Sequence, residues 1–197
     1  MNDSEIIGQV LSGNRDAYAE LVRRYQARTI RLCASLLKNE KDAEDAAQEA
    51  FIRAYQSLDS FRQTSSFYTW LYRIATNHCL SLLRNKSAKS TESLDALLEN
   101  EGDGVERLLS SADFRRSLEA RELTTKLLGA LRPNYRAILV LREAEGLSYE
   151  EIGQVLSCSV DSVKAQLRRA RMEIDEKLRH FFPDQASKKT ERKSHGA

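Results

Sequence analysis

The feature that most constrains this chain is a short stretch near its carboxyl end, Leu147-Ser148-Tyr149-Glu150-Glu151, which opens two helical repeats separated by a tight turn. Ser148 can accept a hydrogen bond from the amide of Glu151 while the Glu151 carboxylate reaches back to the amide of Ser148, a capping box that starts a helix. That helix turns Ile152, Val155 and Leu156 to a core and stops at Ser157-Cys158-Ser159. Ser159 can cap the next helix, whose Val160, Val163 and Leu167 recur at three- and four-residue spacing and face inward. The opposite face then carries Asp161, Lys164, Ala165, Arg168 and Arg169. Two short helices joined by a tight turn, the second basic on its outer face, have the dimensions to enter a DNA major groove. Lys164, Arg168 and Arg169 can bond phosphates or guanine edges, and Ala165 can touch a thymine methyl. A surface hairpin with a solvated basic face has the same pattern, so periodicity and charge leave both readings open.

The rest of the chain is equally free of helix breakers, with only 2 Pro and 8 Gly in 197 residues, so an all-α fold is expected. That length suits one ordinary domain or two small ones. No run approaches the roughly 20 apolar residues of a membrane span, and the polar start Met1-Asn2-Asp3-Ser4-Glu5 is unlike a signal peptide. A cytoplasmic protein without membrane insertion is expected. Cys33, Cys79 and Cys158 cannot form a fully paired disulfide set and read as small buried residues. His78 adjoins Cys79, but no second ligand sits at zinc-site spacing, so no metal or cofactor is expected.

A net charge of +2 hides strong segregation. Between Glu40 and Glu49 five acids (Glu40, Asp42, Glu44, Asp45 and Glu49) face only Lys41, whereas Ser60 to Arg84 carries Arg62, Arg73 and Arg84 and no acid. Lys164 to Arg171 holds four bases and no acid. One acidic and two basic faces imply separate partners.

Two helical blocks emerge. In the first, residues 1–85, Asp3 or Ser4 caps a short helix. Asn14 or Asp16 caps a long one through Lys38, whose apolar face includes Leu21, Tyr25, Ile30, Leu32, Leu36 and Leu37. A third helix, about Asp42–Leu58, gathers Ala43, Ala46, Ala47, Ala50, Phe51 and Ala54, small residues that let another helix approach closely. A polar loop precedes a last helix from about Ser66 to Arg84. Residues 86–113 are linker in chemistry: Lys86, Lys89 and Arg107 against seven acids, a net of −4. The second block, 114–182, is expected to contain helices at about Leu118–Leu131, Asn134–Glu145, Ser148–Leu156 and onward from Val160, with Arg132-Pro133 marking a boundary. A basic tail, 183–197, follows. The expected architecture is two small helical domains joined by a flexible acidic linker, the second a helix-turn-helix domain.

The runs Leu131-Arg132-Pro133-Asn134-Tyr135-Arg136-Ala137-Ile138, Glu145-Gly146-Leu147-Ser148-Tyr149-Glu150-Glu151-Ile152-Gly153 and Ser162-Val163-Lys164 resemble the carboxy-terminal promoter-reading domain of the extracytoplasmic-function (ECF) group of bacterial sigma-70 family factors. Asp42-Ala43-Glu44-Asp45-Ala46-Ala47-Gln48-Glu49-Ala50-Phe51, then Leu58-Asp59-Ser60-Phe61-Arg62, then Phe67-Tyr68-Thr69-Trp70-Leu71-Tyr72-Arg73-Ile74-Ala75-Thr76-Asn77 resemble the amino-terminal sigma domain in order and spacing. The resemblance implies an initiation factor without catalytic activity of its own. It would bind core RNA polymerase through the clamp helices of the large subunit and the flap of the other large subunit, direct it to promoter DNA, and be held by an anti-sigma factor. Asp42, Glu44, Asp45, Gln48 and Glu49 correspond to the clamp-docking surface. Phe61, Arg62, Ser65 and Ser66 belong to the loop that captures a flipped minus-ten base, and Trp70, Tyr72, Arg73 and Asn77 lie on the helix that helps separate the strands. Aromatics beside arginines suit this task, because a ring stacks on an unstacked base while arginine holds phosphate. Trp70, Leu71 and Ile74 fit a core as well, and core is the stronger reading for Trp70. The minus-thirty-five element falls to Ser159, Asp161, Ser162, Lys164, Ala165, Arg168 and Arg169. Two positions depart from the family's commonest pattern. Ser81 stands where many relatives carry Asp, and Ala165-Gln166 replaces a frequent Ser-Arg pair, which bears on the promoter sequence read.

A one-component regulator would account for the helix-turn-helix but leave Asp42 to Asn77 without a task. A nucleic-acid enzyme or metal-dependent hydrolase has no phosphate-cradling glycine loop, no paired His-Glu motif and no nucleophile with a placed histidine to support it.

Overall fold

The first helix shows how far local rules carry this chain. Asn2, rather than Asp3 or Ser4, is its cap: the Asn2 side chain accepts from the Glu5 amide and the Glu5 carboxylate accepts from the Asn2 amide. The computed structural model describes residues 1–37, 39–90 and 126–181. α1 (Asp3–Leu11) ends before Gly13, whose φ of +108° suits a residue without a Cβ. A 3-10 turn, Arg15–Ala17, then replaces the expected cap at Asn14 or Asp16, and α2 (Tyr18–Leu37) follows. Leu21, Leu32, Leu36 and Leu37 are buried as expected, while Tyr25 and Ile30 are half-buried. Thr29 is fully buried because its hydroxyl donates to the Tyr25 carbonyl at 2.9 Å.

Asn39 caps α3 (Glu40–Gln56), which therefore starts two residues before Asp42. Its alanine stripe is buried against α2 and α4, as the spacing predicts. Ser66 caps α4 (Phe67–Ser90): the Thr69 amide donates to the Ser66 hydroxyl at 3.1 Å. No helix breaker stands between Arg84 and Ser90, so α4 runs beyond the expected boundary and residues 86–90 are helix, not linker. The rest of the expected linker, part of the first helix of the second block, and the tail lie outside the described residues.

In the second block, residues 126–130 form α5, and Pro133 occupies the first position of α6 (Pro133–Leu139), where its missing amide is harmless. The single helix expected over Asn134–Glu145 is interrupted. Val140–Ala144 widens into a π turn, closed by Glu145 N to Val140 O at 3.1 Å, and Gly146 (φ +69°) reverses the chain. α7 (Tyr149–Leu156) and α8 (Val160–Phe181) complete the fold.

The two blocks are packed together. α4 lies against α6 and α7, and α2 against α6 and the π turn, so the buried residues of both blocks form one continuous core. Arg136 spans the junction. The residue is 4% exposed, and its guanidinium donates to Leu36 O at the end of α2 and to the Leu128, Gly129 and Leu131 carbonyls around the end of α5. A cation where two helix C-termini converge is stabilised by their orphan carbonyls and dipoles, although burial lowers its pKa below the ordinary arginine value.

Candidate nucleic-acid interface

The capping box of α7 forms as its sequence dictates, with the Glu151 amide donating to Ser148 Oγ at 3.1 Å and the Ser148 amide to Glu151 Oε2 at 2.8 Å. α7 closes at Ser157, a left-handed residue at φ 54°, and the Cys158 amide returns to the Gly153 carbonyl at 2.9 Å. A Cβ on Gly153 would meet the Cys158 carbonyl oxygen at 2.8 Å, so this turn requires glycine. Ser159 caps α8, its hydroxyl accepting from the Ser162 amide at 3.2 Å. Val163 and Leu167 are buried; Val160, expected inside, is only half-buried because it lies in the first turn, and Cys158 is half-buried rather than core. Asp161, Lys164, Ala165, Arg168 and Arg169 share the exposed face. Asp161 pairs with Lys164 at 3.5 Å, whereas Arg168 and Arg169 are engaged by no described side chain. Ser162 is half-buried and accepts from Gln166 Nε2 at 3.0 Å, so the residue that departs from the family pattern is tethered to its own helix.

A second basic face is built by the loop after the 3-10 turn Leu58–Ser60 and by the start of α4. Gln63 takes a left-handed φ of 54°, and the Ser4 hydroxyl of α1 donates to its side chain at 3.0 Å, so the first helix anchors this loop. Asp3 accepts from Arg24 and from Tyr25, whose hydroxyl is pushed up to about 12 by burial and by that bond to Asp3. Phe61 packs on Trp70 (5.0 Å between ring centroids) and Phe67 (6.0 Å). Trp70 is 7% exposed, and Tyr72, expected on the strand-separating face, is fully buried. The Ser66 hydroxyl is committed to its cap and to Thr69. Arg62, Arg73 and Asn77 are exposed, and no described side chain pairs with either arginine. Phe61, Arg62, Ser65, Thr69, Trp70 and Arg73 line a cavity of about 450 Å3 whose remaining wall includes Gln154 and Ser157 of the second block.

The acidic helix divides into two faces. Glu44 and Gln48 border a groove of about 1070 Å3 between α2 and α3, floored by apolar side chains including Val22, Ile30, Phe51, Ile52 and Tyr55. Asp42 is paired with Lys86 and Glu49 with Arg53, each at 2.6 Å, and Asp45 is exposed. The Arg53 hydrogen bond holds Glu49 below the usual carboxylate range. Sequence reasoning passed over Ile52 and Tyr55, which are 44% and 37% exposed. The available signal was their position off the alanine stripe, four and seven residues beyond Gln48.

Two family models match where these surfaces lie: Sigma-70 region 2 over residues 21–89, and Sigma-70, region 4 over residues 121–174. The ECF RNA polymerase sigma-E factor of Escherichia coli (strain K12) is 35% identical over 182 residues, covering 90% of this chain and 95% of its own. The RNA polymerase sigma-H factor of Pseudomonas aeruginosa is 36% identical over 181 residues, covering 89% of this chain and 93% of its own. The chain belongs to the ECF group of sigma-70 factors. Among solved structures, CnrH in complex with the cytosolic domain of CnrY aligns with a TM-score of 0.64 and 28% identity over 89% of this chain and 96% of that one. The sigma factor RpoE in complex with the anti-sigma factor NepR from Bartonella quintana aligns at 0.62 and 24% identity over 82% and 96%, a likeness of fold. As an ECF sigma factor the chain binds core RNA polymerase and directs it to promoters to initiate transcription. No helix among the described residues is long and apolar enough to cross a membrane.

Proposed function

We propose that the first block docks on the clamp helices of the polymerase large subunit and opens the minus-ten element, while the second block, which also meets the flap of the other large subunit, reads the minus-thirty-five element. The observation that carries this reading is the pairing of an aromatic-walled cavity with arginines that no described side chain engages. Phe61 and Trp70 offer ring surface to an unstacked base, and Arg62 and Arg73 stand beside them with no acid among the described residues to neutralise them. Asn77 extends the same face, and Ser65 and Ser66 edge the loop. On α8, Arg168 and Arg169 are the strongest candidates for phosphate or guanine, Lys164 shares its charge with Asp161, and Ala165 offers a methyl; Ser159 and Ser162 act through the helix cap and through Gln166. For the clamp helices, Glu44 and Gln48 with the apolar floor of Ile52 and Tyr55 form a more complete docking groove than acids alone. Asp45 adds exposed charge, while Asp42 and Glu49 are shared with Lys86 and Arg53.

The chemistry belongs to the polymerase; this chain supplies recognition and works where the polymerase is, in the cytoplasm. An anti-sigma partner holds it inactive, as the family expectation has it; the similar CnrH is itself seen in complex with the cytosolic domain of CnrY. The test is run-off transcription with core enzyme, coupled to permanganate footprinting of the minus-ten region. Arg62→Ala/Arg73→Ala is expected to retain promoter-bound polymerase and lose strand opening. Transcription and footprint unchanged in that variant would reject the minus-ten assignment. Tight, specific DNA binding by the isolated chain without run-off would reject the division of labour altogether.

A further inference from the structure

The loop that carries Phe61, Arg62, Ser65 and Ser66 does not stand on its own. At its tip Gln63 takes a φ of 54°, in the left-handed region where a side chain crowds the backbone, and such a residue keeps that conformation only where its surroundings hold it. Here the hold comes from α1. The Ser4 hydroxyl reaches across 59 residues of sequence to donate to Gln63 Oε1 at 3.0 Å. α1 is a firm base for that bond: Ile6, Ile7 and Val10 are buried, the box between Asn2 and Glu5 fixes its first turn, and Asp3 is held by Arg24 and Tyr25 of α2.

The space around the loop gives the bond its consequence. Behind it lies a second cavity, of about 400 Å3, between Ser4, Ile7 and Tyr25 on one side and Phe61, Gln63 and Ser65 on the other. In front lies the cavity that Arg62, Trp70 and Arg73 share with Phe61 and Ser65. Phe61 and Ser65 wall both spaces, so the loop is a partition with room to shift toward α1. A shift that way would draw Phe61 off Trp70, whose ring now stands 5.0 Å from it, and change the shape of the front cavity. Sigma-70 region 2 is matched over residues 21–89, so α1 lies outside it.

We propose that α1 sets the minus-ten selectivity of this factor: Ser4, through Gln63, holds the partition in place, so that the front cavity keeps the shape that discriminates between bases. This rests on the minus-ten assignment above. Ser4 and Gln63 are positioning residues, and neither meets the base. A pocket that rejects a wrong base by fit loses selectivity as its wall loosens, because a loose wall admits shapes that a fixed one excludes. Loss of the bond therefore acts on the choice of base more than on the affinity for DNA.

Holoenzyme reconstituted from the full-length chain and core polymerase tests this on promoters that carry each of the four bases in turn at every minus-ten position. Run-off and permanganate footprinting give the opening rate on each, gel shift the closed-complex affinity, and circular dichroism the thermal unfolding. Ser4→Ala is expected to leave folding and closed-complex affinity unchanged and to narrow the ratio between the best and the worst base by about two- to tenfold, the span of one hydrogen bond. Ser4→Thr, which keeps a hydroxyl, is expected to restore the ratio. Gln63→Met, which keeps the length of the side chain and removes the acceptor, should match Ser4→Ala, and the double variant should be no worse than either alone. An unchanged ratio in Ser4→Ala, or an equal loss on every promoter, overturns the role of α1. Additive losses in the double variant overturn the bond as its route. If Arg62→Ala/Arg73→Ala leaves promoter opening unaffected, the minus-ten assignment itself fails, whatever Ser4→Ala does.

Discussion

The two basic faces of this sigma factor are built differently. On α8 the residues read from sequence are where a periodicity argument puts them, Val163 and Leu167 inside and Lys164, Arg168 and Arg169 outside, and among the described residues no side chain engages the two arginines. On α4 and its preceding loop, the same style of argument mixes roles. Trp70 is packed between Phe61 and Phe67, Tyr72 is fully buried, Ser66 is a helix cap, and only Arg62, Arg73 and Asn77 stand clear. A rigid helix entering a groove needs one clean face, whereas a pocket for a single base needs walls, and walls are core residues with one edge exposed. On the minus-ten face proposed above, aromatic residues would serve stability and contact together.

The largest expected effect breaks the comparison by loosening both faces. Arg136→Met leaves carbonyls at the ends of α2 and α5 without their donor and should destabilise the chain by about 3 kcal/mol, since each buried orphan acceptor costs roughly 1–3 kcal/mol. Urea unfolding monitored by circular dichroism measures it, and a loss under 1 kcal/mol would deny Arg136 its place at the junction. Next, Arg168→Ala should weaken promoter binding by the holoenzyme by about 1–3 kcal/mol and change its sequence preference if the contact is to a base edge, or weaken all sequences alike if it is to phosphate. Arg73→Ala should leave closed-complex affinity nearly intact and slow opening, so gel-shift and permanganate data on the two variants should diverge.

A subtler contrast lies in the caps. Ser148→Ala and Ser66→Ala each remove a side-chain acceptor at a helix start and should cost about 1 kcal/mol in thermal or urea unfolding. The first should also lower minus-thirty-five-dependent transcription, and the second minus-ten opening; a crossed result would redraw which face each cap supports. The smallest effect is a pH dependence seated in the first block. Partial burial, with Arg53 nearby, lowers the His78 pKa below the ordinary histidine value. As pH falls through that value the unfolded chain takes up the proton first, so stability declines, and it levels off once the folded state is protonated too. His78→Gln should flatten stability between neutral and mildly acidic pH, and an unaltered slope would remove His78 as the source.

Most of what was legible before folding is local. Ser148 and Glu151 find each other across one turn, Pro133 has a fixed place at a helix start, and the alanine stripe of α3 declares its buried side at helical spacing, because each depends on residues three or four apart. The family's order of motifs added the roles. Even within local reach some choices were missed: Asn2 outcompetes Ser4 as a cap because Glu5 completes its box, and α4 overruns Arg84 because nothing in the next residues stops it.

By itself, then, the sequence determined the helices, the helix-turn-helix, the segregated charge and the membership in the ECF group. Tertiary structure alone decided that the two blocks close on each other, that Val140–Ala144 widens into a π turn, that Tyr72 is buried, and that Ile52 and Tyr55 floor a groove. The reason is distance along the chain. Glu145 meets the Tyr72 and Tyr68 hydroxyls across 73 and 77 residues, and Arg136 meets Leu36 across 100. No periodicity of three or four can encode such partners; they are fixed only when the packed core brings a buried charge to the groups that can hold it.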